Sequence, residues 1–111
     1  MEANIPDWAK GLNCAITVCD RQGIIIYMND KSMSTFGGKS LVGQSLFGCH
    51  NPRSQEIIHR LMNKAESNCY TIEKQGVKKL IYQTPWYNDG ELAGLVELSI
   101  VLPDQMPHHV R

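Results

Sequence analysis

Two long runs of strand-forming residues, 77–87 ("VKKLIYQTPWY") and 91–102 ("ELAGLVELSIVL"), flank the tripeptide "NDG". Asn, Asp and Gly tolerate the left-handed backbone of tight hairpins, so this stretch reads as one long antiparallel hairpin. A hairpin alone is marginal in water, and the rest of the chain must therefore extend it into a sheet and cover a face. Taking "NDG" as a three-residue loop pairs Tyr87 with Glu91 and sorts the side chains by alternation. One face then carries Leu80, Tyr82, Trp86, Leu92, Val96, Leu98 and Ile100. The other carries Lys79, Ile81, Gln83, Ala93, Leu95, Glu97 and Ser99, with Lys79 opposite Ser99 and diagonal to Glu97. A two-residue loop would mix these sets and set Tyr82 opposite Glu97, the poorer arrangement.

The remaining elements supply partners for that hairpin. "IPDWAKGL" places Ile5, Trp8 and Leu12 at helical spacing, with Pro6 and Asp7 suited to a helix start. "CAITVCDRQGIIIYMND" holds two β runs around the turn signal Asp20-Arg21-Gln22-Gly23, a second hairpin. Residues 29–47 read as short helical turns. The main helix is 52–65, capped by Asn51 with Pro52 in first position. On it Ile57, Ile58, Leu61, Met62 and Ala65 fall within an arc of about 140°. A third strand covers 68–74. The order is β-β-short helices-helix-β-β-β.

At 111 residues the chain suits one domain with its own core. Eleven basic and eleven acidic residues cancel, which argues against recruitment of nucleic acid or an anionic membrane by an overall field. No apolar run approaches a membrane span and no signal peptide pattern opens the chain, so a cytoplasmic location is expected. Cys14, Cys19, Cys49 and Cys69 form no Cys-x-x-Cys pair and read as reduced, small apolar residues. The boundaries expected are a helical cap over 1–12, one domain over 13–102 and a polar, proline-broken tail over 103–111.

This order, together with "DRQGIIIYMN", "LVGQSL" and "DGELAGLVELSI", resembles the PAS domain family. The family's acid-x-x-Gly turn before an apolar strand ending in Asn is matched by Asp20, Gly23 and Asn29. Its Leu-x-Gly-x-Ser/Thr element is matched by Leu41, Gly43 and Ser45, and its last hairpin by Gly90, Gly94 and Val96. The resemblance implies an α+β fold with a five-stranded antiparallel sheet in order 2-1-5-4-3, helices over one face and a ligand cavity between. Alignment with flavin-binding relatives turns Lys79, Ile81, Gln83, Leu95, Glu97 and Ser99 toward that cavity. The apolar face with Tyr82, Trp86, Val96 and Leu98 then points outward, where Ile5, Trp8 and Leu12 of the N-terminal helix and a second subunit would cover it.

Within that frame no residue pattern calls for a cofactor. Some relatives bind haem through a histidine of the main helix, but His59 lies roughly 130° from the centre of the apolar arc and is expected in solvent. Light-sensing relatives place a reactive cysteine where this chain has Leu46. Adjacent His108 and His109 match no metal spacing, and "FGGKS" lacks the first glycine of a phosphate loop. In "GCHNPRS", Asn51 and Pro52 start the helix and Cys49 is expected beneath it, while Arg53 and Ser54 sit in a first turn that can also favour an anion. The expectation is a non-enzymatic sensory and interaction module without metal or cofactor. It forms a homodimer and takes a small polar ligand between Lys79 and Glu97, the alternative being that the two form an ion pair in an empty cavity. It has no nucleic-acid or membrane partner. It contains no effector of its own, and the effector is either a separate protein or a further part of a longer one. The alternative to this module is a haem- or flavin-dependent sensor.

Overall fold

The structure, a computed structural model, describes residues 7–46 and 52–111. Its elements run α1 (Asp7–Lys10), β1 (Ala15–Asp20), β2 (Ile25–Met28), α2 (Asp30–Ser34), α3 (Pro52–Lys64), β3 (Asn68–Lys74), β4 (Val77–Asn88) and β5 (Glu91–Val101). All five strands form one antiparallel sheet in the order β2-β1-β5-β4-β3. Ile5, Cys49, His50 and Asn51 lie outside the described residues, and with them the expected cap of α3.

The first hairpin closes because the Asp20 carboxylate accepts from the backbone N–H groups of Gln22 and Ile24 at 2.9 and 3.0 Å. Gly23 takes the positive φ of 82° that this turn demands. α3 follows the apolar spacing of its sequence. Ile58, Leu61 and Met62 are buried against Cys19 and Leu95, with Leu46, Ile57 and Leu92 packed around them. Ala65 is exposed rather than part of this face, because at φ 54° it has already left the helix.

The long hairpin departs from the expected register, for a definable reason. Its turn has two residues, Asp89 and Gly90, both at positive φ (51° and 80°), so Asn88 pairs with Glu91. Ala93 is then an extra residue on β5: Tyr87 pairs with Leu92 but Trp86 pairs with Gly94. The bulge cancels the parity change of the shorter turn. Below it the two faces keep their expected membership, but each partner is displaced by two residues. Lys79 stands opposite Val101, and Gln83 opposite Glu97. Lys79 and Glu97 are therefore too far apart along the sheet for the expected ion pair. Above the bulge the assignment changes, and Leu92 packs with the α3 core rather than on the outer face.

α1 also packs differently from expectation. Its buried residue is Ala9, whereas Trp8 is 70% exposed and Leu12 is exposed as well. The reason is the anchor. Asn29 donates to the Ala9 carbonyl at 3.0 Å, and Lys10 pairs with Asp30 at 3.2 Å. These contacts hold α1 by its Ala9 side and leave the indole free.

Candidate functional site

One row of side chains crosses the sheet beneath the helices. Thr17, Glu97, Gln83 and Asn68 occupy directly paired positions on β1, β5, β4 and β3. Strand alternation turns them to the same face as Leu95 and Ile81. The Thr17 hydroxyl meets the Ser32 hydroxyl of α2. Gln83 donates through Nε2 to Glu97 Oε1 at 2.8 Å, and its Oε1 accepts from Asn68 Nδ2 at 3.1 Å. The carboxylate accepts only, so it fixes the sense of the whole relay: each amide donates toward Glu97.

This polar row ends in a cleft. Between the first half of α3 and strands β3 and β4 lies a cavity of about 410 Å³, lined by Arg53, Ser54, Ile57, Ile58, Asn68, Tyr70 and Gln83. Its size falls in the range of small-molecule sites, and it combines apolar walls with a few convergent polar groups. Gln83 is 5% exposed and closes the inner end. Behind it a void of about 10 Å³, bounded by Thr17, Cys19, Leu46, Gln83, Leu95 and Glu97, is far too small for a metabolite. Arg53 stands exposed at the rim, with no ion-pair partner among the described residues.

Electrostatics keep the lining neutral apart from Arg53. Burial, followed by the Glu97 carboxylate, pushes the Tyr70 phenol above its ordinary value, so Tyr70 stays a hydrogen-bond donor. Burial also raises the Cys19 thiol, with the Asp20 and Glu97 carboxylates adding to the effect against a lowering backbone hydrogen bond at Leu95. Cys19 is thereby a packing residue and a poor nucleophile.

Of the residues expected to face a ligand, Gln83 lines the cleft and Leu95 and Glu97 line the small void behind it. Ile81 is buried in the sheet face, and Lys79 and Ser99 are half-buried farther along, outside both cavities. Asn68, Tyr70, Ile57 and Ile58 line the cleft without having been expected there, and Arg53 and Ser54, expected in a helix start that can also favour an anion, line it as well. A signal for Asn68 and Tyr70 existed: they alternate on β3 as Gln83 and Ile81 do on β4. On the opposite face Tyr82, Trp86, Val96 and Leu98 are half-buried. Trp86 donates its indole N–H to the Cys19 carbonyl at 3.0 Å, across Gly94. His59 is exposed on α3 and Leu46 packs against the core. Among the described residues no group of His, Cys, Asp and Glu is arranged to hold a metal ion, and no helix is long and apolar enough to cross a membrane.

A five-stranded antiparallel sheet in this order, with helices on one face and a cleft beneath the main helix, defines an α+β architecture. The family described as the PAS fold matches residues 10–104, and the chain belongs to it. PAS domains are typically non-catalytic sensory modules of signal transduction. No curated protein matches the sequence significantly. Among solved structures, VqmA of Vibrio cholerae is similar at 17% identity and a TM-score of 0.71, over 88% of this chain and 50% of that one. The PAS domain of the histidine kinase ThkA is similar at 23% identity and 0.64, over 78% and 97%. The PAS domain of an HTR-like protein from Haloarcula marismortui follows at 14% and 0.63, over 86% and 87%. The chain spans about half the length of VqmA.

These likenesses correct one expectation. Charge balance argued against a nucleic-acid partner, yet VqmA is a LuxR-type receptor with a DNA target, solved in a complex with ligand and DNA. A domain's net charge reports neither local patches nor the rest of a longer chain, so neutrality is no ground for excluding nucleic acid.

Proposed function

We propose that this chain is a non-enzymatic, cytoplasmic PAS sensory and interaction module that holds a small polar ligand in the cleft between α3 and strands β3 and β4. The observation that carries this reading is the relay Glu97–Gln83–Asn68, which brings the buried amide of Gln83 and the half-buried amide of Asn68 to a cavity with apolar walls. The relay uses one Nε2 hydrogen and one Oε1 lone pair of Gln83, and its amide carries a second of each to serve a ligand at the inner end of the cleft. VqmA, which shares the fold, has been solved bound to DPO. The ligand lies against Gln83, Asn68 and Tyr70, with Arg53 at the rim favouring an acidic or phosphorylated group. Residues 13–102 form the sensing domain, with 1–12 as a cap and 103–111 as a polar tail.

Adding a metabolite extract from the host organism is expected to raise the thermal midpoint of the wild type. The same extract leaves Gln83→Leu, compared with its own untreated baseline, unshifted. An equal shift in both proteins removes the cleft from the account.

The proposed assembly is a dimer through the outer sheet face and the N-terminal helix. Its support is the apolar set Tyr82, Trp86, Val96 and Leu98 together with the exposed Trp8 and Leu12. Aromatic anchors in such surfaces commonly cost ~2 kcal/mol or more on truncation. Trp8→Ala and Tyr82→Ala should each shift sedimentation toward monomer. A wild type that stays monomeric at high concentration ends this part of the proposal.

A further inference from the structure

The two edges of the sheet are treated differently. At β2 a neighbouring segment covers the edge: Ile25 donates to the Gln44 carbonyl at 2.9 Å, Gly43 donates to the Ile25 carbonyl at 2.8 Å, and Ile24 bridges Ser45. At the other edge β3 runs seven residues, pairs among the described residues along one side only, with β4, and is exposed throughout 69–74. Long uncovered edges are templates for further pairing, and proteins usually blunt them with charge, proline or a bulge. β3 pairs with β4 without a bulge, contains no proline, and carries charge only at its end, in Glu73 and Lys74. Tyr70 and Ile72, at 42% and 40% exposure, stand on the α3 face of this strand.

We infer that β3 pairs antiparallel with β3 of a second copy of this chain, about a two-fold axis at Thr71. The sequence of the strand selects both occupant and register. Centred on Thr71, Tyr70 lies opposite Ile72 of the second copy and Ile72 opposite its Tyr70, while Thr71 meets Thr71. Aromatic with β-branched and threonine with threonine are favourable cross-strand pairs. Glu73 then faces Cys69 and Lys74 faces Asn68, so no like charges oppose. Moving the axis to Ile72 sets Tyr70 against Lys74, and moving it to Tyr70 sets Ile72 against Asn68. Both lose the matched pair.

The pairing extends the sheet to ten strands with both copies of α3 on the same side. It also places Ile72 of the second copy against Tyr70, a wall of the cleft, so the neighbour lengthens that wall where α3 does not reach. This interface is separate from the outer face and stands whether or not the cleft holds a ligand.

Hydrogen exchange at low and high protein concentration tests it. The outward amides of β3 are expected to slow by about tenfold or more as concentration rises, while the β1–β5 ladder stays unchanged. Ile72→Glu, at an exposed position opposite Lys79 of the same chain, should erase the slowing while leaving the thermal midpoint of the dilute protein close to that of the wild type. β3 amides that exchange equally at both concentrations, or a slowing that survives Ile72→Glu, overturn the proposal.

Discussion

Gly94→Ala is expected to destabilise the domain by at least ~3 kcal/mol, near the upper end of what overpacking costs. A Cβ built on Gly94 comes within 1.9 Å of the Cys19 carbonyl oxygen and 2.8 Å of Asp20 Cα. Both neighbours are backbone of the paired strand β1, so no side chain can turn away to make room. Relief requires β1 and β5 to separate where Trp86 reaches the Cys19 carbonyl across the glycine. The thermal midpoint should fall by ~10 °C or more for a domain of this size. Tryptophan emission should also shift to the red as the indole loses its partner. Gly38→Ala separates space from backbone angle. Gly38 has φ 81°, but a Cβ added there would meet nothing within 4 Å, so only the left-handed penalty of roughly 1–2 kcal/mol applies. Equal losses at the two glycines would show that crowding at Gly94 is not the cause.

Asn29→Ala is expected to cost a similar amount through hydrogen bonds rather than packing. The Asn29 side chain is wholly buried. Its Oδ1 accepts from the backbone N–H groups of Ile16 and Ser32 at 2.9 and 3.0 Å, and its Nδ2 donates to the carbonyls of Ala9 and Cys14 at 3.0 and 2.8 Å. One amide therefore caps α2 and ties α1 and the start of β1 to it. Removal strands four backbone groups, each worth about 1 kcal/mol or more when left unsatisfied. We expect a loss of ~3–5 kcal/mol by chemical denaturation. Asn29→Asp keeps the acceptor but turns a carboxylate toward two carbonyl oxygens. Burial and those oxygens disfavour the anion, so the folded-state pKa of the new carboxyl is raised. Below the unfolded value near ~3.9 only the loss of one donor remains, because a protonated carboxyl has one O–H where the amide has two N–H groups, and the penalty grows from there as pH rises through the folded value. A penalty that does not change with pH would contradict the assigned orientation of the amide.

Much of this fold can be read from periodicity, and the parts that cannot have identifiable causes. α3 is legible because Ile57, Ile58, Leu61 and Met62 repeat at helical spacing and pack in one cluster with Cys19, Leu92 and Leu95 of the sheet. The strand order came from the resemblance carried by Asp20, Gly23, Asn29, Gly90 and Gly94, not from alternation. The register was hidden because a two-residue turn and the extra residue Ala93 cancel in parity. Either would have flipped the faces alone, but together they preserve them while sliding Lys79 away from Glu97. The site was half legible for the same reason. Gln83 and Glu97 are on the expected face, but their direct pairing depends on that slide. Asn68 and Tyr70 enter the cleft only through the β3–β4 register, and Arg53 only through the placement of α3 over the sheet.

Native mass spectrometry of the protein purified from its host organism, beside Gln83→Leu prepared identically, tests the proposal that the cleft between α3, β3 and β4 holds a small polar molecule. A discrete added mass of metabolite size is expected on the wild type, lost under mild activation and absent from the variant. Wild type running at its bare sequence mass, or an adduct retained in full by Gln83→Leu, would end the proposal.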